Sequence, residues 1–355
     1  MTAGSGVPYA MMRGGTSKGL YFLASDLPRS PEERDDLLLR IMGSPDERQI
    51  DGLGGAHPLT SKVAVVAAGA TTGSVDYLFL QVSVDQPLVS AQQNCGNILA
   101  GVGPHAIERG LVPTEGDVTQ VRINMVNTGG AAVATVQTPD GTVRYDGDTE
   151  IAGVPGTAAP VVLDFEGTAG SSCGALLPTG EASEVIDGVT VTCVDNGMPV
   201  VVMPGHQLGV TGTEPPEVLE ADRELRRRLE SLRLEAGRRM GLGDVTDTTV
   251  PKLTMVAPPH AGGDCSTRTF IPHRCHTSIG VLGAASVAAA LRLPGNAVAA
   301  PGASGGAARA AGSRVRVEHP TGYLDVEVEL DGERVRRTGV VRTARKLADG
   351  VAFPR

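Results

Sequence analysis

Asn94-Cys95-Gly96-Asn97-Ile98-Leu99-Ala100-Gly101-Val102-Gly103 is the stretch that decides how this chain is built. Two amides, a thiol and a glycine open a run made almost wholly of small apolar residues. A helix that is small and apolar all round has no polar face to give to solvent. It suits the inside of a wrapped sheet, where backbones approach closely. A second version follows at Arg274-Cys275-His276-Thr277-Ser278, which opens another small-residue run over 279–290. Strand candidates rich in β-branched residues surround both, at 62–67, 75–84, 121–125, 132–136, 189–194, 200–203, 253–256, 315–318 and 323–330. The expected fold class is α+β: two similar domains, each a curled, mostly antiparallel sheet around a central small-residue helix. The domains are expected over 1–182 and 183–355, dividing near Pro178-Thr179-Gly180-Glu181, with the second central helix from about 276. A terminal strand from about 338 can return to the first domain.

The remaining helices are fewer. Ser30-Pro31-Glu32-Glu33 reads as a capping box with Pro in the first helical position, leading into 37–42. A long charged helix is expected within 213–240. Its arginines over 223–239 are interleaved with Glu224, Glu230 and Glu235, and Leu225, Leu229 and Leu232 share one face, which describes a solvated amphipathic helix. The run over 294–312, rich in Ala, Gly and Pro, reads as a flexible loop.

Bulk properties exclude several classes. A net charge of −9 and 3% aromatic residues argue against a nucleic-acid partner, which would need a basic footprint and stacking surfaces. The five cysteines show no framework spacing, so disulfides are not expected. No apolar run approaches the roughly 18 residues of a membrane span, and no signal peptide is seen, so a cytoplasmic protein with no membrane partner is expected.

The chemistry-bearing motifs each have a functional and an ordinary reading. Cys95 at a helix start sits where free N–H groups and the positive dipole end favour a thiolate and can also hold a carboxylate; the ordinary reading is a small buried thiol. Arg13-Gly14-Gly15-Thr16-Ser17-Lys18-Gly19 is either an anion-binding nest with Arg13 gripping a carboxylate or a plain glycine turn; it lacks the spacing of a Walker loop. Thr60-Ser61-Lys62 borders an apolar run, and desolvation there favours the uncharged amine that a general base needs; a lysine snorkelling at a strand end is the alternative. His260, Asp264, Cys265, His273, Cys275 and His276 raise the question of zinc, but no metal-ligand spacing organises them and no metal is expected. Arg274, Thr277 and Ser278 suit carboxylate binding better. His319-Pro320-Thr321-Gly322, Asn127-Thr128-Gly129-Gly130 and Gly170-Ser171-Ser172-Cys173-Gly174 are turns first and cleft-lining loops second.

Taken together, residues 13–19, Gln49-Ile50-Asp51-Gly52-Leu53-Gly54-Gly55, Thr60-Ser61-Lys62-Val63-Ala64, Asn94-Cys95-Gly96-Asn97, Leu176-Leu177-Pro178-Thr179-Gly180 and Arg342-Thr343-Ala344-Arg345-Lys346-Leu347 resemble the PrpF family nearly end to end. That family includes 2-methylaconitate isomerase, methylitaconate Δ-isomerase and 4-oxalomesaconate tautomerase, and has the diaminopimelate-epimerase fold. The resemblance implies a cofactor-free allylic isomerisation (double-bond shift or cis–trans) of an unsaturated di- or tricarboxylate such as 2-methylaconitate, aconitate, methylitaconate or 4-oxalomesaconate. It implies Lys62 as base and Cys95 as partner acid. Arg13, Thr16, Ser17, Ser61, Asn94, Gly96, Asn97, Arg274, Thr277, Ser278 and His319 are the expected substrate-binding residues, and a homodimer is left open. Relatives sharing the fold that invert amino acids carry Cys-Gly-Thr-Gly at the second helix start. PrpF members commonly carry His-Lys-Ala there, so Arg274 stands for the lysine and Cys275 for the alanine, which argues against a two-thiol epimerase using Cys95 and Cys275. A non-catalytic carboxylate-binding protein is the remaining alternative.

Overall fold

The computed structural model describes residues 6–91, 94–298 and 314–355. The chain is a mixed α/β protein with more strand than helix, and it divides into two compact units, Met1–Asp164 with Arg342–Arg355, and Phe165–Val341. Among the described residues no helix is long and apolar enough to cross a membrane.

The first unit contains β1 (Val7–Gly14), β2 (Ser17–Leu23), α1 (Pro31–Met42), β3 (Lys62–Ala68), β4 (Ser74–Val82), β5 (Val89–Ser90), α2 (Gly96–Glu108), β6 (Val118–Met125), β7 (Gly130–Gln137) and, at its end, β8 (Pro160–Phe165). Successive pairings alternate in sense: β1–β2 antiparallel, β2–β3 parallel, β3–β4 antiparallel, β4–β6 parallel, β6–β7 antiparallel. Parallel neighbours need a crossover, and α1 and α2 supply the two. Ser30 caps α1 by accepting from Glu33 N at 3.4 Å, but its hydroxyl bonds Glu32, so only half of the expected capping box forms.

The sheet buries both faces. Leu37, Leu38, Ile41 and Met42 of α1 pack with Leu20, Phe22, Val63, Val65, Leu80 and Val82 on one side. Alternation along a strand then turns Ser17, Gly19 and Tyr21 of β2, Lys62, Ala64 and Val66 of β3, and Tyr77, Phe79 and Gln81 of β4 to the other side, where α2 lies. Residues Ile98 to Ala106 of α2 are all buried. The small residues are required by close approach: a Cβ on Gly101 would stand 2.4 Å from the Tyr21 hydroxyl, which itself donates to Ile98 O at 2.5 Å.

Burial on α2 also has a pH consequence. His105 is 1% exposed and stacks 5.6 Å from the Tyr21 ring; burial pushes its pKa from 6.5 down to about 4. The unfolded chain takes up this proton first. The stability that depends on a neutral ring is therefore complete above the unfolded value and is lost as pH falls through the folded one. The expected loss is on the order of 3 kcal/mol. Urea unfolding at pH 7 and pH 4 checks it: His105→Leu is expected to lose less than the parent by that amount, and equal losses would refute the assignment.

The second unit contains β9 (Glu184–Ile186), β10 (Val189–Asp195), β11 (Pro199–Pro204), α3 (Pro216–Ala221), α4 (Arg223–Arg239), β12 (Lys252–Ala257), β13 (Cys265–Phe270), α5 (Val281–Arg292), β14 (Arg314–His319), β15 (Gly322–Asp331) and the start of β16 (Arg334–Ala352). Its pairings run β10–β11 antiparallel, β11–β12 parallel, β12–β13 antiparallel, β13–β14 parallel, β14–β15 antiparallel. Leu225, Leu229 and Leu232 of α4 bury against Val191, Val201, Met203, Leu253 and Met255, while α5 packs on β10, β11, β14 and β15. The long charged helix within 213–240 is α4, and the short α3 stands apart from it because Asp222 leaves helical geometry (φ −74°, ψ 100°) and caps α4 through Leu225 N at 2.9 Å.

Three further expectations need correction. The second small-residue helix begins at Val281, not near 276, so Cys275 lies upstream of it, in an isolated bridge with Phe270. Residues 13–19 belong to β1 and β2, apart from the turn between them. The terminal strand β16 starts at Arg334, ahead of the expected 338: residues 334–340 pair with β15, and residues 344–352 return to the first unit, where they pair with β1. From residue 299 to 312, the expected loop lies outside the described residues.

Candidate active site

The start of α2 is built by the turn between β1 and β2. Gly14 opposes Ser17 across a two-residue turn in which Gly15 takes φ +51°, a conformation that favours glycine. Space demands the same residue at both positions: a Cβ on Gly14 would stand 2.4 Å from Asn97 O, and one on Gly15 would stand 2.2 Å from Asn97 Oδ1. The turn therefore lies directly against the helix entrance, and Asn97 Nδ2 donates to Thr16 Oγ1 at 3.0 Å. Asn94 Nδ2 donates to Thr128 Oγ1 at 2.6 Å.

Cys95 is the N-cap residue, half-buried, and its carbonyl accepts from Leu99 N at 2.9 Å and from Tyr77 OH at 3.4 Å. Its thiol makes no capping bond, so the sulfur is left for other work at a place where the first N–H groups of α2 point outward. Around it Ser17 Oγ, Asn94 Oδ1 and Asn97 Oδ1 are buried with no hydrogen-bond partner among the described residues. Unmet polar atoms are costly in a folded core, and three at one helix entrance describe a polar binding site. The hydroxyls of Thr16 and Thr128 can donate as well as accept, so each amide can turn either its oxygen or its N–H groups to a ligand.

Lys62 opens β3 and is 7% exposed. Its Nζ donates to Gln81 Oε1 at 2.8 Å and lies 5.1 Å from the centre of the Phe79 ring. Tyr77, Phe79 and Gln81 are same-face neighbours on β4, with Cys95 held at the Tyr77 end and Lys62 at the Phe79–Gln81 end. The two candidate proton-transfer groups thus flank one row of side chains on one face of the sheet.

Thr16, Ser17, Asn94, Cys95, Gly96 and Asn97 lie around this helix entrance, and Lys62 lies on the sheet face that α2 covers. Arg13 does neither: it leaves β1 on the side opposite Gly14, and its Nη1 donates to Gly15 O at 2.9 Å and Thr343 O at 3.0 Å. It clamps the turn to β16. Ser61 is fully buried and donates to Gln49 Oε1 at 2.7 Å, so its hydroxyl serves the loop before β3.

The second unit holds its own polar group. Ser278 Oγ lies 3.3 Å from His319 Nε2, Thr321 Oγ1 lies 3.3 Å from His319 Nδ1, and Thr321 donates to Thr277 O at 2.8 Å. Arg274 is exposed. Cys275 N donates to Glu220 at 3.0 Å, and burial pushes the Cys275 thiol up to about 11. His260 contacts Ser266 at 3.1 Å and His276 accepts from Ser278 N at 2.8 Å; among the described residues no group of three His, Cys, Asp or Glu is arranged to hold a metal ion.

Sequence reasoning missed Gln81, Phe79 and Tyr77, and it read Thr128 only as part of a turn that could line a cleft. Gln81 faces Lys62 directly across the β3–β4 ladder, so the pair was legible only to someone who already knew the register.

Comparison with known proteins agrees with the resemblance. The family described as PrpF protein matches residues 5–354. The chain is 56% identical to the (4E)-oxalomesaconate Delta-isomerase of Novosphingobium sp. (strain KA1), covering 98% of this chain and 97% of that protein. It is 56% identical to the 4-oxalomesaconate tautomerase of Pseudomonas putida, over 97% of this chain and 95% of that one. The crystal structure of methylitaconate-delta-isomerase superposes with a TM-score of 0.86 at 34% identity, covering 99% of this chain and 96% of that chain. Likeness along nearly the whole chain leads to one statement: this protein belongs to the PrpF family and is an isomerase of that family.

Proposed function

We propose that the reaction is an allylic proton transfer on an unsaturated tricarboxylate of the oxalomesaconate type, with Lys62 as base and Cys95 as acid. The amine takes a proton from the carbon next to the double bond, and the electron pair spreads into the conjugated carboxylate. The thiol then protonates the far carbon. The double bond has moved, Lys62 is left as ammonium and Cys95 as thiolate, and proton exchange between them or with water resets the pair. The observation that supports this reading is Lys62 at the Gln81 end and Cys95 at the Tyr77 end of one β4 row, with three buried polar atoms at the helix entrance that have no partner among the described residues. The outward N–H groups at the α2 start offset the negative charge that builds up on the intermediate.

The choice of oxalomesaconate among related acids rests on the names of the two relatives at 56% identity. Thr277, Ser278 and His319 are proposed as carboxylate-binding groups of the second unit. The two units are read as two domains of one design, since each repeats the same alternation of antiparallel and parallel pairings, with a small-residue helix as its second crossover. The two-thiol epimerase loses its main support, because Cys275 is not at the start of α5.

A panel of 4-oxalomesaconate, 2-methylaconitate, cis- and trans-aconitate and methylitaconate, followed by proton NMR in deuterated water without added cofactor, tests the reading. Turnover is expected to be fastest with 4-oxalomesaconate, with deuterium entering at the newly protonated carbon. Binding of these acids with no turnover of any would replace the proposal with a carboxylate-binding protein.

A further inference from the structure

We propose that Gln81 is the positioning residue of the base: it ties down one N–H of Lys62 and leaves the nitrogen lone pair for the substrate carbon. The inference rests on Lys62 being the base. Gln81 opposes Lys62 in the β3–β4 register, and its Oε1 accepts from Nζ at 2.8 Å. The other end of the amide is not free to exchange with it. Gln81 Nε2 donates to Pro58 O at 3.1 Å, Ser61 O at 3.1 Å and Val82 O at 3.3 Å. Turning the amide over would set an oxygen against three carbonyl oxygens. Gln81 can therefore only accept from Lys62, and it cannot offer an N–H that would occupy the lone pair.

The identity of the partner matters as much as its position. A carboxylate in contact with a lysine adds a full negative charge that holds it as ammonium, whereas an amide oxygen adds no net charge and favours the ammonium only through its stronger hydrogen bond. Among the described residues the polar partner of Lys62 is this neutral amide. Among the described residues the titratable groups on this side of the sheet are Tyr77 on β4, Tyr21 on β2 with His105 of α2 packed on its ring, and Cys95 at the N-cap of α2. Burial holds both phenols well above their usual range and His105 well below its own, so these three are uncharged at neutral pH. The Phe79 ring closes another side of the nitrogen. Among the described residues no carboxylate pairs with the Lys62 amine.

Two substitutions with opposite electrostatic consequences test the role. Gln81→Glu brings a negative charge to Nζ and is expected to move the acid limb of the kcat–pH profile up by about one pH unit or more. Gln81→Met removes the acceptor at similar volume. It is expected to move that limb down and to lower plateau kcat by about 10-fold, with KM within about threefold, because the amine is no longer held. Melting temperatures accompany both, and Gln81→Glu alone suffices if the Met variant does not fold. Limbs displaced in opposite senses support the proposal. Limbs unmoved in folded variants, or losses that follow melting temperature alone, overturn it. Lys62→Met, assayed in parallel on 4-oxalomesaconate, separates the two levels. Turnover retained there refutes the base itself, whereas turnover lost there with unmoved Gln81 limbs refutes only the positioning role.

Discussion

Lys62→Met is expected to lower kcat by at least about 100-fold, the lower end for a group that moves a proton in the rate-limiting step. Methionine keeps most of the stem volume, and the site can take it: Phe79 lies alongside, and a neutral apolar end removes a buried amine rather than stranding one. The lesion is therefore chemical, and melting temperature is expected to stay within a few degrees of the parent. KM is expected to change by less than about threefold, since substrate carboxylates are held by the helix entrance and not by the amine in this reading. Exchange of the allylic proton with deuterated water should cease together with isomerisation, because the same group begins both. Near-normal turnover of the folded variant would end the assignment of Lys62.

Cys95→Ala should also cost at least about 100-fold in kcat, but it should leave a different trace. The base remains, so the variant is expected to go on exchanging the allylic proton with deuterated water faster than it forms product. The half-reaction that depends on Lys62 survives while the one that depends on the thiol stalls. The backbone consequences are small, because Cys95 caps α2 through its carbonyl, not its sulfur. Isomerisation and exchange falling by the same factor would instead mean that Cys95 acts on proton removal. Unchanged turnover would mean that it is a bystander.

The contrast between the two small-residue helices shows where local reading succeeds. At 94–103 the amides, the thiol and the glycines all serve one helix entrance, and α2 begins one residue after Cys95. The run at 274–278 likewise sets a cysteine among polar residues ahead of a small-residue stretch but does not start a helix; α5 waits for Gly280 as its N-cap, and Cys275 instead bridges to Phe270. Composition alone does not separate these cases, because the difference lies in which backbone groups β13 claims first. Strands such as β3 and β15 announce themselves through β-branched residues, while β1, β2 and β13 are broken up by Gly, Lys, Arg or Ser and are strands because neighbours pair with them.

The site divides in the same way. Lys62, Cys95, Asn94 and Asn97 stand out in the sequence because polar or reactive groups there border long apolar runs, a local property. Arg13 stands out equally, yet strand alternation places it on the face opposite Gly14, where it binds Gly15 and Thr343 carbonyls. Gln81 is inconspicuous in sequence and becomes the partner of Lys62 only through the β3–β4 register. By itself, then, the sequence determined the family, the presence of two small-residue helices among strands, and the residue types that could move a proton. The tertiary structure alone decided which side of a strand each group occupies and which groups meet, because pairing register and face are set by hydrogen bonds between segments far apart in the chain.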